Sequence, residues 1–312
     1  MAEKRPPPHD RGGELWSHST GASRLLVSSF DRWTSAMLAD DGIDMPYMGG
    51  DTTVQASICA QEDGILVGCA AVDHMLQIWA GGVNISWSAG DGRSVIKGDE
   101  IATISGDREA VLAMERSILN ILGQLSGIAT VAKQWSAIAP GQIACTRKTI
   151  WGLLDKWAVS LGGGLTHRLH REDATMVKEN DLASMYSDIS GHGPRIAKYI
   201  SEVDLEDCGA FLEIEVREEK EAIIAAFSWS EKRIIESCDK LVLMLDNFGP
   251  DRSRAVNAEL VEMGLREHVW LEASGGILLE DLDDWRECGL DVLSTSSINR
   301  GCKPLDFSML IK

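Results

Sequence analysis

Apolar and polar positions change rhythm about halfway along this chain. From about Trp33 to Gly106, short apolar runs are punctuated by glycines: Gly64-Ile-Leu-Val-Gly, Trp79-Ala-Gly-Gly-Val-Asn-Ile-Ser-Trp and Gly98-Asp-Glu-Ile-Ala-Thr-Ile-Ser-Gly. Runs of this kind predict antiparallel strands, with a flanking helix near residues 24–40. Over residues 108–125, Val111, Leu112, Ile118, Leu119, Leu122 and Leu125 make one apolar stripe and predict a long helix. Beyond it, short apolar runs alternate with helical stretches. The runs are Ile143-Ala-Cys, Ala174-Thr-Met-Val, Phe211-Leu-Glu-Ile-Glu-Val, Leu241-Val-Leu-Met-Leu, Val269-Trp-Leu-Glu-Ala and Asp291-Val-Leu-Ser. The helical segments lie near 151–160, 195–203, 218–227, 251–264 and 279–288.

Strand–helix alternation of this regularity implies parallel strands joined by crossover helices, in the α/β class. Its length suits a small or incomplete (β/α) barrel. A doubly wound sheet is the alternative, but no GxGxxG follows the first strand to favour a dinucleotide fold. The predicted strands end in Thr146-Arg147-Lys148, Lys178-Glu179-Asn180, Glu215, Asp246-Asn247, Ser274-Gly275-Gly276 and Ser294-Thr295-Ser296. In a barrel those ends converge on one face, where active sites are built.

Charge sharpens this picture. The 312 residues carry 30 Lys and Arg against 48 Asp and Glu, a net charge of −18. Such a surface repels nucleic acid and anionic membrane, so neither is expected as a partner. The window 141–180 is the exception, with six basic residues (Arg147, Lys148, Lys156, Arg168, Arg171 and Lys178) against four acids. Lys156 and Arg171 are expected on solvated helix faces. Arg147, Lys148 and Lys178, at strand ends, are expected to bind an anion, Arg by bidentate pairing and Lys as a compact charge. The seven cysteines are scattered and never spaced as CxxC, which argues against a disulfide scaffold or a structural zinc. Residues 1–22 are rich in Pro, Gly and Ser and are expected to be a mobile tail. No apolar signal-peptide core or membrane-length run is present, so a soluble, cytoplasmic protein is expected.

Alternation along Phe211–Val216 puts Leu212, Ile214 and Val216 on one face, and Glu213 and Glu215 on the other. In a barrel those carboxylates point inward and need partners, either a divalent cation or the cationic cluster. Asp246, closing an apolar strand, has the same need. Together they suggest Mg2+–diphosphate chemistry. Ser274-Gly275-Gly276 offers backbone N–H groups to a phosphate, at a helix N-terminus if one begins there. Gly162-Gly163-Gly164 is either a turn or a close approach of backbone to a ligand beside His167 and Arg168. His167 and His170 could share one helical turn, yet no third ligand at a known spacing supports a metal there.

Taken in order, Glu115-Arg116-Ser-Ile-Leu-Asn120, Leu125-Ser-Gly-Ile-Ala-Thr130, Thr146-Arg-Lys-Thr149, Gly162-Gly-Gly-Leu-Thr-His-Arg168, Val177-Lys-Glu-Asn180, Leu245-Asp-Asn-Phe248 and Ser274-Gly-Gly-Ile277 resemble the quinolinate phosphoribosyltransferases. These are also called carboxylating nicotinate-nucleotide pyrophosphorylases. The resemblance runs from about Gly50 to the C-terminus. It implies an α/β sandwich domain followed by an incomplete (β/α) barrel, in a homodimer whose sandwich covers the partner's barrel. On this frame the chain divides into a tail (1–22), a sandwich (23–126), a barrel (127–296) and a segment returning to the sandwich (297–312). The implied reaction joins quinolinate and phosphoribosyl diphosphate with Mg2+, giving nicotinate mononucleotide, pyrophosphate and CO2. By resemblance, Arg116 reaches the partner's site, while Arg147, His167 and Arg168 bind the pyridine dicarboxylate with Thr146 beside them. Lys148 and Lys178 contact phosphate or carboxylate, Glu215 and Asp246 face the ribose and Mg2+, and Ser274, Gly275, Gly276 and Ser296 lie at the 5′-phosphate.

The chain departs from the family pattern at four places. Ile150-Trp151-Gly152-Leu153 lacks the usual Pro and Arg, and Thr166 stands where Asn is usual. Leu169-His170-Arg171-Glu172 replaces Phe-Gly-Leu-Tyr, and Thr295-Ser296-Ser297 replaces Val-Gly-Ala. These changes fall near the acceptor and phosphate pockets, so a relative using another aromatic acid is one alternative. A non-catalytic anion-binding paralogue is the other.

Overall fold

The computed structural model describes residues 6–47, 49–50 and 52–312. The chain packs as two compact units. One comprises Arg11–Ala137, Lys148–Thr166 and Ser296–Lys312. The other comprises Ile138–Arg147, His167–Thr295 and the N-terminal stretch through Asp10.

In the first unit a short antiparallel pair, β1 (Trp16–Ser17) and β2 (Gly21–Ala22), precedes α1 (Arg24–Asp40). There follow β3 (Thr53–Ala60), β4 (Gly64–Leu66), α2 (Cys69–Trp79), β5 (Asn84–Trp87), β6 (Arg93–Val95), β7 (Glu100–Asp107) and α3 (Arg108–Ile138). β7 pairs antiparallel with β3 and β5, and β4 with β6. Two elements depart from the sequence expectation. Trp79 closes helix α2, and the strand expected from Trp79 begins only at Asn84. The α2 N-terminus has no local cap. Its Gly68, Cys69 and Ala70 N–H groups donate to the Asp91 carboxylate at 2.6, 3.0 and 3.0 Å, from more than twenty residues away. Helix α3 runs on past residue 125 to Ile138, because Ile128, Ala129, Ala132 and Trp135 continue the buried stripe. The expected domain boundary between 126 and 127 therefore falls inside one helix.

In the second unit the strands are β8 (Ile143–Ala144), β9 (Thr175–Val177), β10 (Leu212–Val216), β11 (Leu241–Asp246), β12 (Val269–Ser274) and β13 (Val292–Ser294). Between β8 and β9 the chain passes through α4 (Leu153–Leu161), which belongs to the first unit. The later crossovers carry α5 (Glu179–Met185), α6 (His192–Glu202), α7 (Glu219–Glu236), α8 (Gly249–Glu262) and α9 (Leu282–Arg286). All six strands are parallel, in the order β8-β13-β12-β11-β10-β9. Successive strands are neighbours from β9 to β13, and the last then pairs with the first. A doubly wound sheet would reverse direction partway, so this is a barrel left open between β8 and β9. After β13 the chain returns to the first unit, where β14 (Phe307–Ile311) pairs antiparallel with β3 and completes the sheet β14-β3-β7-β5.

Parallel register sets which side chains share a face. Glu215, Met244, Glu272 and Val292 lie level across β10 to β13, and Asp246, Ser274, Ser294 and Ala144 lie level nearer the strand ends. At the strand beginnings, Ala174, Phe211, Val242 and Trp270 form a buried apolar cluster.

Residues 6–22 are not a mobile tail. His9 and Leu15 are fully buried, and Trp16 packs against Trp157 at 5.4 Å between ring centroids. Burial of that kind outweighs the entropy of a Pro/Gly-rich stretch. Residues 1–5 of the expected tail lie outside the described residues. Among the described residues no helix is long and apolar enough to cross a membrane.

The triple glycine has a packing reason. A Cβ on Gly162, the C-cap of α4, would lie 2.4 Å from the Ala129 carbonyl oxygen and 2.7 Å from the Ala132 Cβ. That is the close approach of α4 to α3, not of backbone to a ligand. Gly162→Ala should therefore cost about 1–3 kcal/mol, as overpacking against backbone does. A urea titration showing no loss of stability would remove the reading.

Candidate active site

Strand alternation brings four charged groups together where β9, β10 and β11 end. Glu215, on the inward phase of β10, keeps only 4% of its side chain exposed and pairs with Lys178, the residue after β9. Arg217 continues the same phase past the strand end. It pairs with Glu179 and reaches Glu215 at 3.5 Å and Asp246 at 3.8 Å. Two buried or half-buried carboxylates thus sit beneath two largely exposed cations. Arg217 escaped the sequence reading, although the 213, 215, 217 alternation pointed to it. Glu215 and Asp246 offer the hard oxygen donors that Mg2+ takes. Only two carboxylates are on offer and both face cations, which suits an ion held chiefly by water and phosphate oxygens.

Near β8 the charge is positive. Arg147 follows that strand and is exposed, with no ion pair among the described residues; Thr146 beside it is half-buried. Arg168 is buried, its Nη1 donating to the Ala174 carbonyl at 3.0 Å and the Arg171 carbonyl at 3.3 Å. Burial, and next the positive charge of Arg147, lower its pKa. Arg147 and Arg168 thus put two guanidinium groups, the kind of side chain that pairs with carboxylates or phosphates, at this end of the barrel unit. His170 and Arg171 are exposed, and His167 and His170 do not share a helical turn.

Across the barrel, β12 ends in Ser274-Gly275-Gly276. Gly275 has φ +105°, and a Cβ there would strike the Asn247 side chain at 2.2 Å. Glycine is needed so that this loop can lie against the start of α8. No helix begins at Gly276; a 3-10 turn starts at Leu279. The two glycines line a pocket of about 390 Å3 with Asn247, Phe248, Asp281 and Asp284. Thr295, a departure from the family pattern, is buried and donates its hydroxyl to the Ile277 carbonyl at 3.1 Å, bracing the same loop.

Below these groups lies a buried polar core, in which strand alternation pointed to Glu213 but no local pattern pointed to His9 or Glu272. His167 has φ +52°, a left-handed conformation rare outside glycine. Its ring points inward, with Nε2 3.3 Å from Glu272 Oε2 and 3.5 Å from Glu213 Oε2. His9 Nε2 meets the same Glu272 oxygen at 2.7 Å. Donor atoms of His9, His167 and Glu272 all lie within 4.8 Å of one another, as in a three-ligand metal set. The 2.7 Å contact is also an ordinary hydrogen-bond distance. Burial alone would depress His167, but Glu272 and then Glu213 outweigh it and raise its pKa to about 10. The backbone N–H of Arg168 donates to its Nδ1 at 2.7 Å and opposes a second ring proton. The proton on Nε2 is common to both charge states. Glu213 is raised by burial and by repulsion from Glu272. Glu272, against its burial, is lowered by His167 and His9.

Three of the anticipated site residues belong to the other unit. Arg116 is exposed on α3 and lines a pocket of about 280 Å3 with Asn120, Gln124 and Trp151. Lys148 is exposed, and its carbonyl accepts from Asn299 Nδ2 at 3.0 Å. Ser296 is half-buried, its carbonyl taken by Arg300 N at 2.8 Å. Lys156, expected in solvent, is 2% exposed and donates to the Thr166 carbonyl at 2.7 Å. The Thr166 hydroxyl accepts from Arg11 N at 2.8 Å. Asp155 is fully buried, accepting from Ile150 N, Trp151 N and Asn299 Nδ2 at 2.9, 3.1 and 3.1 Å. The segment that departs from the family pattern after Thr149 is held by that carboxylate.

Two family descriptions match the chain: "Quinolinate phosphoribosyl transferase, N-terminal domain" over residues 33–126, and "Quinolinate phosphoribosyl transferase, C-terminal domain" over residues 128–310. A probable nicotinate-nucleotide pyrophosphorylase (carboxylating) of Methanothermobacter thermautotrophicus is 31% identical over 268 residues, covering 84% of this chain and 89% of the relative. The chloroplastic nicotinate-nucleotide pyrophosphorylase (carboxylating) of Arabidopsis thaliana is 32% identical over 267 residues, covering 84% and 75%. Among solved structures, the nicotinate-nucleotide pyrophosphorylase of Francisella tularensis superposes with a TM-score of 0.76 at 26% identity, over 92% of this chain and 97% of that one.

The buried core makes an asymmetric prediction. Glu272→Gln removes the counter-charge of His167 and should cost about 3–5 kcal/mol, as breaking a buried pair does. Glu213→Gln relieves a like-charge contact and should change stability by less than about 1 kcal/mol. Urea unfolding of both variants checks the order; equal or reversed costs would refute it.

Proposed function

The chain belongs to the quinolinate phosphoribosyltransferase family, and on that premise we propose that it transfers phosphoribosyl from its diphosphate donor to quinolinate with decarboxylation. The products are nicotinate mononucleotide, pyrophosphate and CO2, in the biosynthesis of NAD. What supports the reading is the family match over residues 33–126 and 128–310, together with the cluster of Lys178, Glu215, Arg217 and Asp246 at neighbouring strand ends.

The chemistry asks for charge control rather than a covalent nucleophile. Arg147 and Arg168 hold the acceptor carboxylates and aim the ring nitrogen at the anomeric carbon. As the bond from that carbon to the diphosphate oxygen breaks, positive charge grows on the ribose. Glu215 and Asp246, fixed at strand ends, stabilise it. Lys178 and Arg217 receive negative charge on the departing pyrophosphate. Mg2+, when bound with the diphosphate near Glu215 and Asp246, would neutralise further charge there. The backbone of Ser274 to Gly276 accommodates the 5′-phosphate, with Ser296 nearby in sequence to Thr295. Once the ring nitrogen is quaternary, its positive charge stabilises the electron pair left on the adjacent ring carbon as that carbon's carboxylate departs as CO2, and the carbon then takes a proton. In this reading the working form is a cytoplasmic homodimer in which Arg116 of one subunit serves the site of the other.

Steady-state assays over a panel of pyridine and other aromatic acids test the acceptor. Robust turnover on another acid with none on quinolinate would overturn it. Calorimetry with the phosphoribosyl donor and Mg2+ guards against the non-catalytic alternative, which binding without turnover on any acid would favour. Arg147→Ala should raise the acceptor KM by roughly 10- to 150-fold, from the loss of charge-assisted hydrogen bonds of about 1.5–3 kcal/mol, or abolish turnover. Unchanged kinetics would remove the clamp role.

A further inference from the structure

The segment before residue 33 lies outside both family matches, yet one of its side chains is at the centre of the barrel unit. His9 is fully buried. Its Nε2 is 2.7 Å from Glu272 Oε2, the oxygen that also stands 3.3 Å from His167 Nε2. The two imidazoles meet edge to face at 5.0 Å and 90°, and both touch Phe211, at 5.2 and 5.8 Å. Among the described residues, Glu272 Oε1 and both oxygens of Glu213 have no hydrogen-bond partner, and the polar contacts of Glu272 Oε2 are to His9 and His167.

A histidine at φ +52° is held against its own backbone preference, and such residues persist only where the surroundings over-determine them. The ring of His167 is held by Arg168 N at Nδ1, by the shared carboxylate at Nε2, and by the rings of His9 and Phe211. One of these contacts is the His9 ring itself, and another is to the carboxylate oxygen that His9 also holds.

We propose that His9 is a positioning residue for the acceptor end of the site, fixing the plane of the His167 ring, and with it the adjoining Arg168, through the shared Glu272 carboxylate. The role rests on the reading of His167 and Arg168 as acceptor-binding. It makes the N-terminal segment a functional part of this enzyme that the family's shared region does not supply. His9 touches no substrate; it acts through His167.

The test compares three substitutions in the full-length protein. His9→Leu removes the hydrogen bond. His9→Gln keeps an N–H donor that reaches Glu272, and His9→Asn carries a donor too short to reach it. His9→Leu and His9→Asn should raise the KM for quinolinate about tenfold, while kcat and the KM for the phosphoribosyl donor stay within about twofold. His9→Gln should recover most of the loss. An unchanged quinolinate KM, or equal impairment of all three, would overturn the proposal, as would a stoichiometric metal ion retained by the purified protein and lost with His9.

A second readout is independent of turnover. In a 15N-histidine-labelled sample, the ring resonances of His167, assigned by their loss in His167→Gln, should move in His9→Leu and stay in place in His9→Gln. Resonances indifferent to His9 would defeat the positioning role even if activity fell. Failure of the wild-type protein to use quinolinate would count against the function alone, because the resonance test would still decide the role of His9.

Discussion

A carboxylate inside a parallel barrel is costly unless a charge or hydrogen-bond donor meets it. This barrel carries two, Glu213 and Glu272, with no solvent exposure. Much of the second unit can be read as the answer to that constraint. His167 turns inward against its backbone preference, and Glu272 becomes the acceptor for two imidazoles. The N-terminal stretch leaves an expected place in solvent to bring His9 to the same oxygen. The strand ends above then carry the more exposed ion pairs of Lys178 and Arg217.

The contrast between the two layers is functional. Around Glu272 the donors are buried and their partners fixed, which favours rigidity. Around Glu215 and Asp246 the cations Lys178 and Arg217 are about half exposed and held by ion pairs that solvent screens. Such pairs are cheap to break, so an incoming diphosphate can draw those cations without disturbing the carboxylates beneath. A site built on strands, with a rigid core below and exchangeable charges above, is preorganised where geometry matters and adaptable where charge moves.

The departures from the family pattern look less disruptive once their contacts are known. The segment after Thr149 is held by Asp155, and Thr166 is tied by Arg11 and Lys156 rather than turned toward a ligand. Thr295 braces the Ser274–Gly276 loop through Ile277 instead of crowding it. These three replacements serve local packing.

Taken alone, the sequence determined the six-strand alternation, the inward phase of Glu213 and Glu215, the cationic surplus between residues 141 and 180, and the family. These are properties of periodicity, local charge and ordered motifs, which need no knowledge of distant partners. Only the tertiary structure decided what depended on remote contacts. The N-terminus of α2 is capped by Asp91, and Lys156 is buried because the Thr166 carbonyl receives it. Gly162 answers to Ala129 on another helix, and His9 meets Glu272 across 263 residues. A Pro/Gly-rich beginning reads as a tail because its composition is that of a tail. What orders it is a carboxylate on a strand near the other end of the chain, and no local pattern can encode that.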